Sequence, residues 1–85
     1  MSNELLIKQL IYRSNYRGCK ETDILLGKFF SKKHPEFSAD DLKLYDQFIT
    51  EDDLLIYDWV LSKIEPPKQY SDLINNIRKF HNMYE

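Results

Sequence analysis

Arg17-Gly18-Cys19-Lys20-Glu21, followed at once by Thr22-Asp23-Ile24-Leu25-Leu26, concentrates charge, a thiol and backbone freedom in one short stretch. Cys19 stands beside Arg17 and Lys20 at a helix start, a setting in which a thiol can serve nucleophilic or redox chemistry. Neither histidine is near it in sequence and it has no second cysteine to resolve it, so a redox role is not expected. The charges also suit a turn. Arg13 and Arg17 fall at the end of one amphipathic pattern, where cations are favoured, and Glu21 and Asp23 open the next, where free N–H groups favour carboxylates. Gly18 suits the left-handed residue that ends a helix. Tyr12 and Tyr16, four apart, lead into this turn as the rim of a core or as a binding platform, and the rim is expected.

Other chemistry is thinly represented. Acids cluster at Ser38-Ala39-Asp40-Asp41 and at Thr50-Glu51-Asp52-Asp53, but without the alternating oxygen ligands and central glycine of a calcium loop. Ser38 with Asp41 is a near match to a capping box, and capping is the expected role of both clusters. With glycine only at 18 and 27, no phosphate-cradling loop can be built, and one cysteine with two histidines does not make a zinc site. No nucleophile elbow or triad signature frames the serines. A net charge of −2 gives no basic footprint for nucleic acid. No metal or bound cofactor is therefore expected; acid–base catalysis by paired carboxylates stays open, though a small bundle offers little water-excluded space for it.

The elements that must position these residues are helical throughout. Glu4 to Ser14 carries Ile7, Leu10, Ile11 and Ser14 as a buried stripe widened by Leu6, with Ser2 or Asn3 as cap. A second helix from Lys20–Asp23 to Lys32 or Lys33 bears Ile24, Leu25, Leu26, Phe29 and Phe30 over most of its circumference and is expected to be central. Gly27 in its middle costs about 1 kcal/mol against alanine, which close approach of a neighbouring helix would offset. The third helix follows Ser38, with Ala39, Leu42, Tyr45 and Ile49 inward and Asp40, Lys43 and Asp46 wet. The fourth is expected through about Lys63, with Trp59 in the core and Asp58 on a wet edge, the alternative being a buried aspartate with a partner. After the stiff Pro66-Pro67 connector, Ser71 is expected to cap a fifth helix bearing Leu73, Ile74, Ile77, Phe80, His81 and Tyr84, with His81 at its edge. The fold class is all-α, a compact bundle of five short helices forming a single domain over residues 1–85.

No run approaches the roughly 20 apolar residues of a membrane span, so no membrane insertion is expected. The start of the chain resembles neither a secretory signal nor an arginine-rich transit segment, which predicts a bacterial cytoplasm, a processed mitochondrial matrix form being the second choice.

The stretch from Arg17 to Glu21, with Asp23-Ile24-Leu25-Leu26, resembles the RGxxE signature of the succinate dehydrogenase flavinylation factors, called SdhE in bacteria. The likeness extends to Phe29-Phe30, to Leu44-Tyr45-Asp46-Gln47-Phe48-Ile49, and to Asp52-Asp53 leading to Tyr57-Asp58-Trp59. It implies a helical, non-enzymatic assembly factor that binds the flavoprotein subunit of succinate dehydrogenase, and a fumarate reductase flavoprotein as well. This factor would promote covalent attachment of FAD, carried by the partner, to a histidine of that subunit. The resemblance carries partner binding to Arg17, Gly18 and Glu21: a guanidinium fork for partner oxygens, a backbone open to close approach, and a carboxylate facing the flavin-bearing site or a partner cation. Arg13, Tyr16, Cys19 and Asp23 extend the site by proximity, Cys19 replacing the methionine of many members. A monomer is expected. The alternative function is a regulatory module that occludes a protein partner.

Overall fold

The computed structural model describes residues 4–82, and among them the chain forms five α-helices, two 3-10 turns and no strand. The helices are α1 (Glu4–Asn15), α2 (Lys20–Lys33), α3 (Ala39–Phe48), α4 (Asp53–Val60) and α5 (Ser71–Phe80); the 3-10 turns are His34–Glu36 and Lys68–Tyr70. Ser2, Asn3 and Tyr84, assigned to a cap and a stripe above, lie outside the described residues.

Local signals explain most of the boundaries. Ser38 Oγ accepts from the Asp41 N–H at 3.1 Å and Asp41 Oδ2 accepts from the Ser38 N–H at 3.0 Å, a complete capping box at the start of α3. Asp52 Oδ2 accepts from the N–H groups of Leu54 and Leu55 and so caps α4. α2 passes into the first 3-10 turn at Pro35, which has no N–H to continue the helical ladder, although His34 before it keeps a right-handed helical conformation (φ −57°, ψ −30°) against the usual preference before proline.

The fourth helix stops at Val60, short of the expected Lys63. Ser62 takes a left-handed φ of 64°, the Lys63 N–H reaches back to the Asp58 carbonyl at 2.8 Å, and the Ser62 N–H to Trp59 O at 3.2 Å. That is a Schellman ending with serine where glycine usually stands, so no glycine announced it. Arg78 of α5 then donates to the carbonyls of Trp59 (2.6 Å), which also accepts from Ser62, and of Val60 (2.9 Å). Ser71 does not cap α5: it is the first residue of the helix, which continues out of the Lys68–Tyr70 turn without a side-chain cap.

α2 is the central helix, packing on α1, α4 and α5. At Gly27 a Cβ would stand 2.8 Å from the Asn15 side-chain carbon, so the glycine lets the end of α1 close on α2. The core runs through Leu10, Leu26, Phe29, Phe30, Leu42, Phe48, Ile56, Trp59, Leu73 and Ile77, all buried. Phe30 stacks on Tyr45 with centroids 4.4 Å apart, an arrangement that adds about 1 kcal/mol beyond burial. The Tyr45 hydroxyl lies 2.6 Å from buried Ser14 Oγ, whose one proton goes to Leu10 O at 2.7 Å, leaving Tyr45 the donor. Burial, the largest influence on it, pushes the Tyr45 hydroxyl pKa up.

Several faces are turned differently from the sequence expectation. Ala39 is exposed, as is Ile24 at 46%. Asp46 is half-buried rather than wet, paired with Arg13. Asp58 is likewise half-buried. Tyr12 and Tyr16 are not the rim of the core: they are 65% and 70% exposed and lean on each other. His81 sits at the helix edge with Nε2 2.9 Å from the Leu25 carbonyl.

Candidate functional site

The α1–α2 turn is built by a left-handed glycine and held from inside by an arginine. The Tyr16 N–H still reaches Tyr12 O in helical fashion at 3.1 Å. Gly18 then adopts φ +94°, and extended Cys19 (φ −122°, ψ 117°) leads into α2 without a side-chain cap. Nothing lies within 4 Å of where a Gly18 Cβ would stand, so packing within the chain does not require glycine there. The backbone conformation alone selects it, at about 1 kcal/mol or more for an L side chain.

Arg17 faces inward. Its side chain is 9% exposed, with Nε 2.5 Å from Asp53 Oδ1 and Nη2 3.0 Å from the Glu51 carbonyl. Its backbone N–H donates to Asp23 Oδ1 at 2.6 Å. Thr22, fully buried, places Oγ1 3.5 Å from the Asp53 carbonyl. The Glu51 carboxylate accepts from the Tyr70 hydroxyl at 3.2 Å; burial first, and that carboxylate with it, raises the Tyr70 pKa. The turn is thereby tied to the start of α4 and on to the 3-10 turn before α5. A guanidinium that satisfies a carboxylate and a carbonyl at once, largely out of water, is a strong form of such a tie.

The seven residues expected to form a partner site fall into two groups. Arg17 and Asp23 hold the turn together, and Arg13 bonds Asp46 Oδ1 at 2.7 Å across to α3, a pair 40% and 43% exposed and worth about 0–1 kcal/mol. Gly18, Glu21 and Tyr16 are exposed, and Cys19 is half-exposed with Sγ 3.4 Å from Glu21 Oε1. The guanidinium fork of Arg17 is therefore spent within the chain, and the outward surface consists of Tyr16, Gly18, Cys19 and Glu21. Sequence reasoning missed Asp53, Glu51 and Thr22 as the anchors of the turn. The signal was slight: two aspartates in succession where one cap suffices. Among the described residues there is no group of three or more histidine, cysteine, aspartate or glutamate side chains able to hold a metal. No described helix is long and apolar enough to cross a membrane.

The family model described as "flavinator of succinate dehydrogenase" matches residues 8–81, from α1 to the end of α5. The chain belongs to this family. Among its relatives is the mitochondrial succinate dehydrogenase assembly factor 2 of Dictyostelium discoideum, 31% identical over 92% of this chain and 55% of that protein. The corresponding factor 2-A of Drosophila erecta is 37% identical over 87% of this chain and 47% of its own length. That of Komagataella phaffii is 32% identical over 84% and 39%. The chain spans about half the length of the curated relatives it matches. No solved structure matches it.

These relatives correct the expected bacterial cytoplasm. Each is named as a mitochondrial protein of a eukaryote. The expectation rested on the first residues of the chain, and a chain spanning half its relatives carries no information there about a leader.

Proposed function

We propose that this chain is a succinate dehydrogenase assembly factor of the mitochondrion that binds the flavoprotein subunit one to one and promotes covalent attachment of FAD to it. Its client is succinate dehydrogenase, the enzyme named by the family description and by the relatives. The observation that carries it is the Gly18–Glu21 turn, exposed on its outer side and clamped on its inner side by Arg17, within a chain matched to the family from residue 8 to 81.

The chain acts without a catalytic group of its own. FAD, carried by the partner, would supply the reacting methyl carbon and the subunit's histidine the nucleophile; the methyl group and the histidine nitrogen would each give up a proton as the C–N bond forms, and the flavin ring would take up the electron pair of the broken C–H bond with two protons, ending in its two-electron-reduced form. What the helper contributes is geometry: a docked partner held so that histidine and flavin meet in near-attack arrangement, a large term in such reactions. A turn already fixed by Arg17, Asp23 and Asp53 loses little freedom on docking, which favours affinity. Gly18 admits the partner's surface to the backbone, and Glu21 offers it a carboxylate.

Co-expression with the cognate flavoprotein subunit, in a host lacking its own helper, tests the reading through flavin fluorescence on a denaturing gel. Covalent flavin should rise strongly with the wild-type chain. Gly18→Ala, which adds strain but little bulk, should retain most of the effect, and Gly18→Arg should abolish complex formation with helical content preserved. Equal flavinylation with and without the chain refutes the proposal.

A further inference from the structure

α1 has two faces, and folding uses one of them. Leu10 and Ser14 are fully buried on the inner side, with Ile7 and Ile11 half-buried beside them. On the outer side, Leu5 is 69% exposed, Tyr12 65% and Tyr16 70%. At 100° per residue these three fall within about 40° of arc and run about 16 Å along the helix. They are three of the six large hydrophobic residues exposed among the described residues; the other three, Ile24, Leu54 and Ile64, lie outside α1. The Tyr12 and Tyr16 rings lie 4.7 Å apart and pre-form one aromatic patch. The strip ends where the turn begins, since Tyr16 directly precedes Arg17 and Gly18.

Tyrosine pairs of this kind suit an interface. They bring large area with few rotatable bonds, and their hydroxyls stay wet in the free protein. The flanks carry the sign of charge that selects among partners. From Leu5 to Lys20 every charged residue is a cation, Lys8, Arg13, Arg17 and Lys20, with Glu4 and Glu21 standing at the two ends, in a chain whose net charge is −2. Arg13 and Arg17 answer acids of α3 and α4, whereas Lys8, next to Tyr12 on α1, and Lys20, past the turn at the start of α2, are exposed.

We propose that the Leu5–Tyr12–Tyr16 strip is the second half of the docking surface, with Tyr12 and Tyr16 as its anchors, and that it receives an apolar, acid-rimmed surface of the same flavoprotein subunit. This rests on the reading above that the chain binds that subunit, and it adds a helix face to the turn. The turn supplies close backbone approach and the strip supplies the buried area, so neither suffices alone.

The test measures binding of the purified flavoprotein subunit to the wild type, to Gly18→Arg, to the double variant Tyr12→Ala/Tyr16→Ala, and to Tyr12→Phe/Tyr16→Phe. Aromatic anchors at the centre of an interface typically weaken binding about tenfold or more on truncation, and that loss is expected of the alanine pair. The phenylalanine pair should bind within a few-fold of wild type, because area rather than the hydroxyl is the anchor. Melting temperature and helical content should be unchanged in both, since the rings contribute nothing to the core. Wild-type affinity in the alanine pair, with Gly18→Arg still defective, overturns the strip alone. Absence of binding by the wild type itself overturns the reading on which the strip rests.

Discussion

Removing the Arg17 side-chain head group is the sharpest perturbation of the turn. Arg17→Met keeps the aliphatic stem and deletes the bonds to Asp53 (2.5 Å) and the Glu51 carbonyl (3.0 Å). A hydrogen bond to a charged group contributes about 1.5–3 kcal/mol net, and one to a neutral carbonyl about 1 kcal/mol. Two observations pull the sum toward its lower end. Asp53 is 21% exposed and regains water when its partner leaves, and the Arg17 backbone bond to Asp23 survives the change. We expect a loss of about 2–3 kcal/mol. For a domain of this size that lowers the melting temperature by roughly 10–20 °C. Thermal and urea unfolding followed by circular dichroism measure it. Asp53→Asn and the double variant complete a cycle, in which the coupling should be about 1–2 kcal/mol because the two side chains touch. Melting within about 2 °C of wild type, or additivity of the two changes, would refute the staple and return Arg17 to the outward surface.

Two further expectations follow from the packing. Gly27→Ala should gain little by itself, because the added methyl drives Asn15 off its 2.8 Å bond to Ile11 O; in an Asn15→Ala background the same change should stabilise by about 1 kcal/mol, and equal effects in both backgrounds would show that α1 and α2 do not meet there. Tyr45 and Tyr70 both have pKa values raised above the ordinary tyrosine value near 10, by burial before all else. Their neutral forms are favoured in the folded state, so their contribution is complete below about pH 10 and falls as pH rises beyond it. Urea midpoints across alkaline pH should decline from there, and tyrosinate absorbance should show these two ionising above the ordinary tyrosine range; titration of every tyrosine at the ordinary value in the folded state would contradict the burial.

Helices were legible because their signals are local. The apolar spacing of α1, α2 and α5, the Ser38–Asp41 box and the Asp52 cap lie within a few residues of what they determine, and Gly18 marked its turn because a left-handed backbone is a property of one residue. Where a boundary depended on something else, reading failed. α4 stops at Val60 because Ser62 accepts a left-handed conformation and Arg78, 18 residues away, takes its carbonyls. Ser71 looked like a cap, but the chain arrives at it already turning.

By itself the sequence determined the helical class, the place of the turn between α1 and α2, and a resemblance that the family match then bore out. The tertiary structure decided which charges are available. Arg17 and Asp53 are 36 residues apart, and nothing local distinguishes an arginine that will meet a carboxylate from one that will meet water. The finer rotation of each helix about its own axis was likewise decided by packing. Periodicity had already put Leu10 and Ser14 on the inside of α1; packing decided that Tyr12 and Tyr16 stand clear of the core rim and that Asp46 turns to Arg13. Ion pairing and helix rotation depend on the summed fit of distant surfaces, and a linear pattern does not contain that fit.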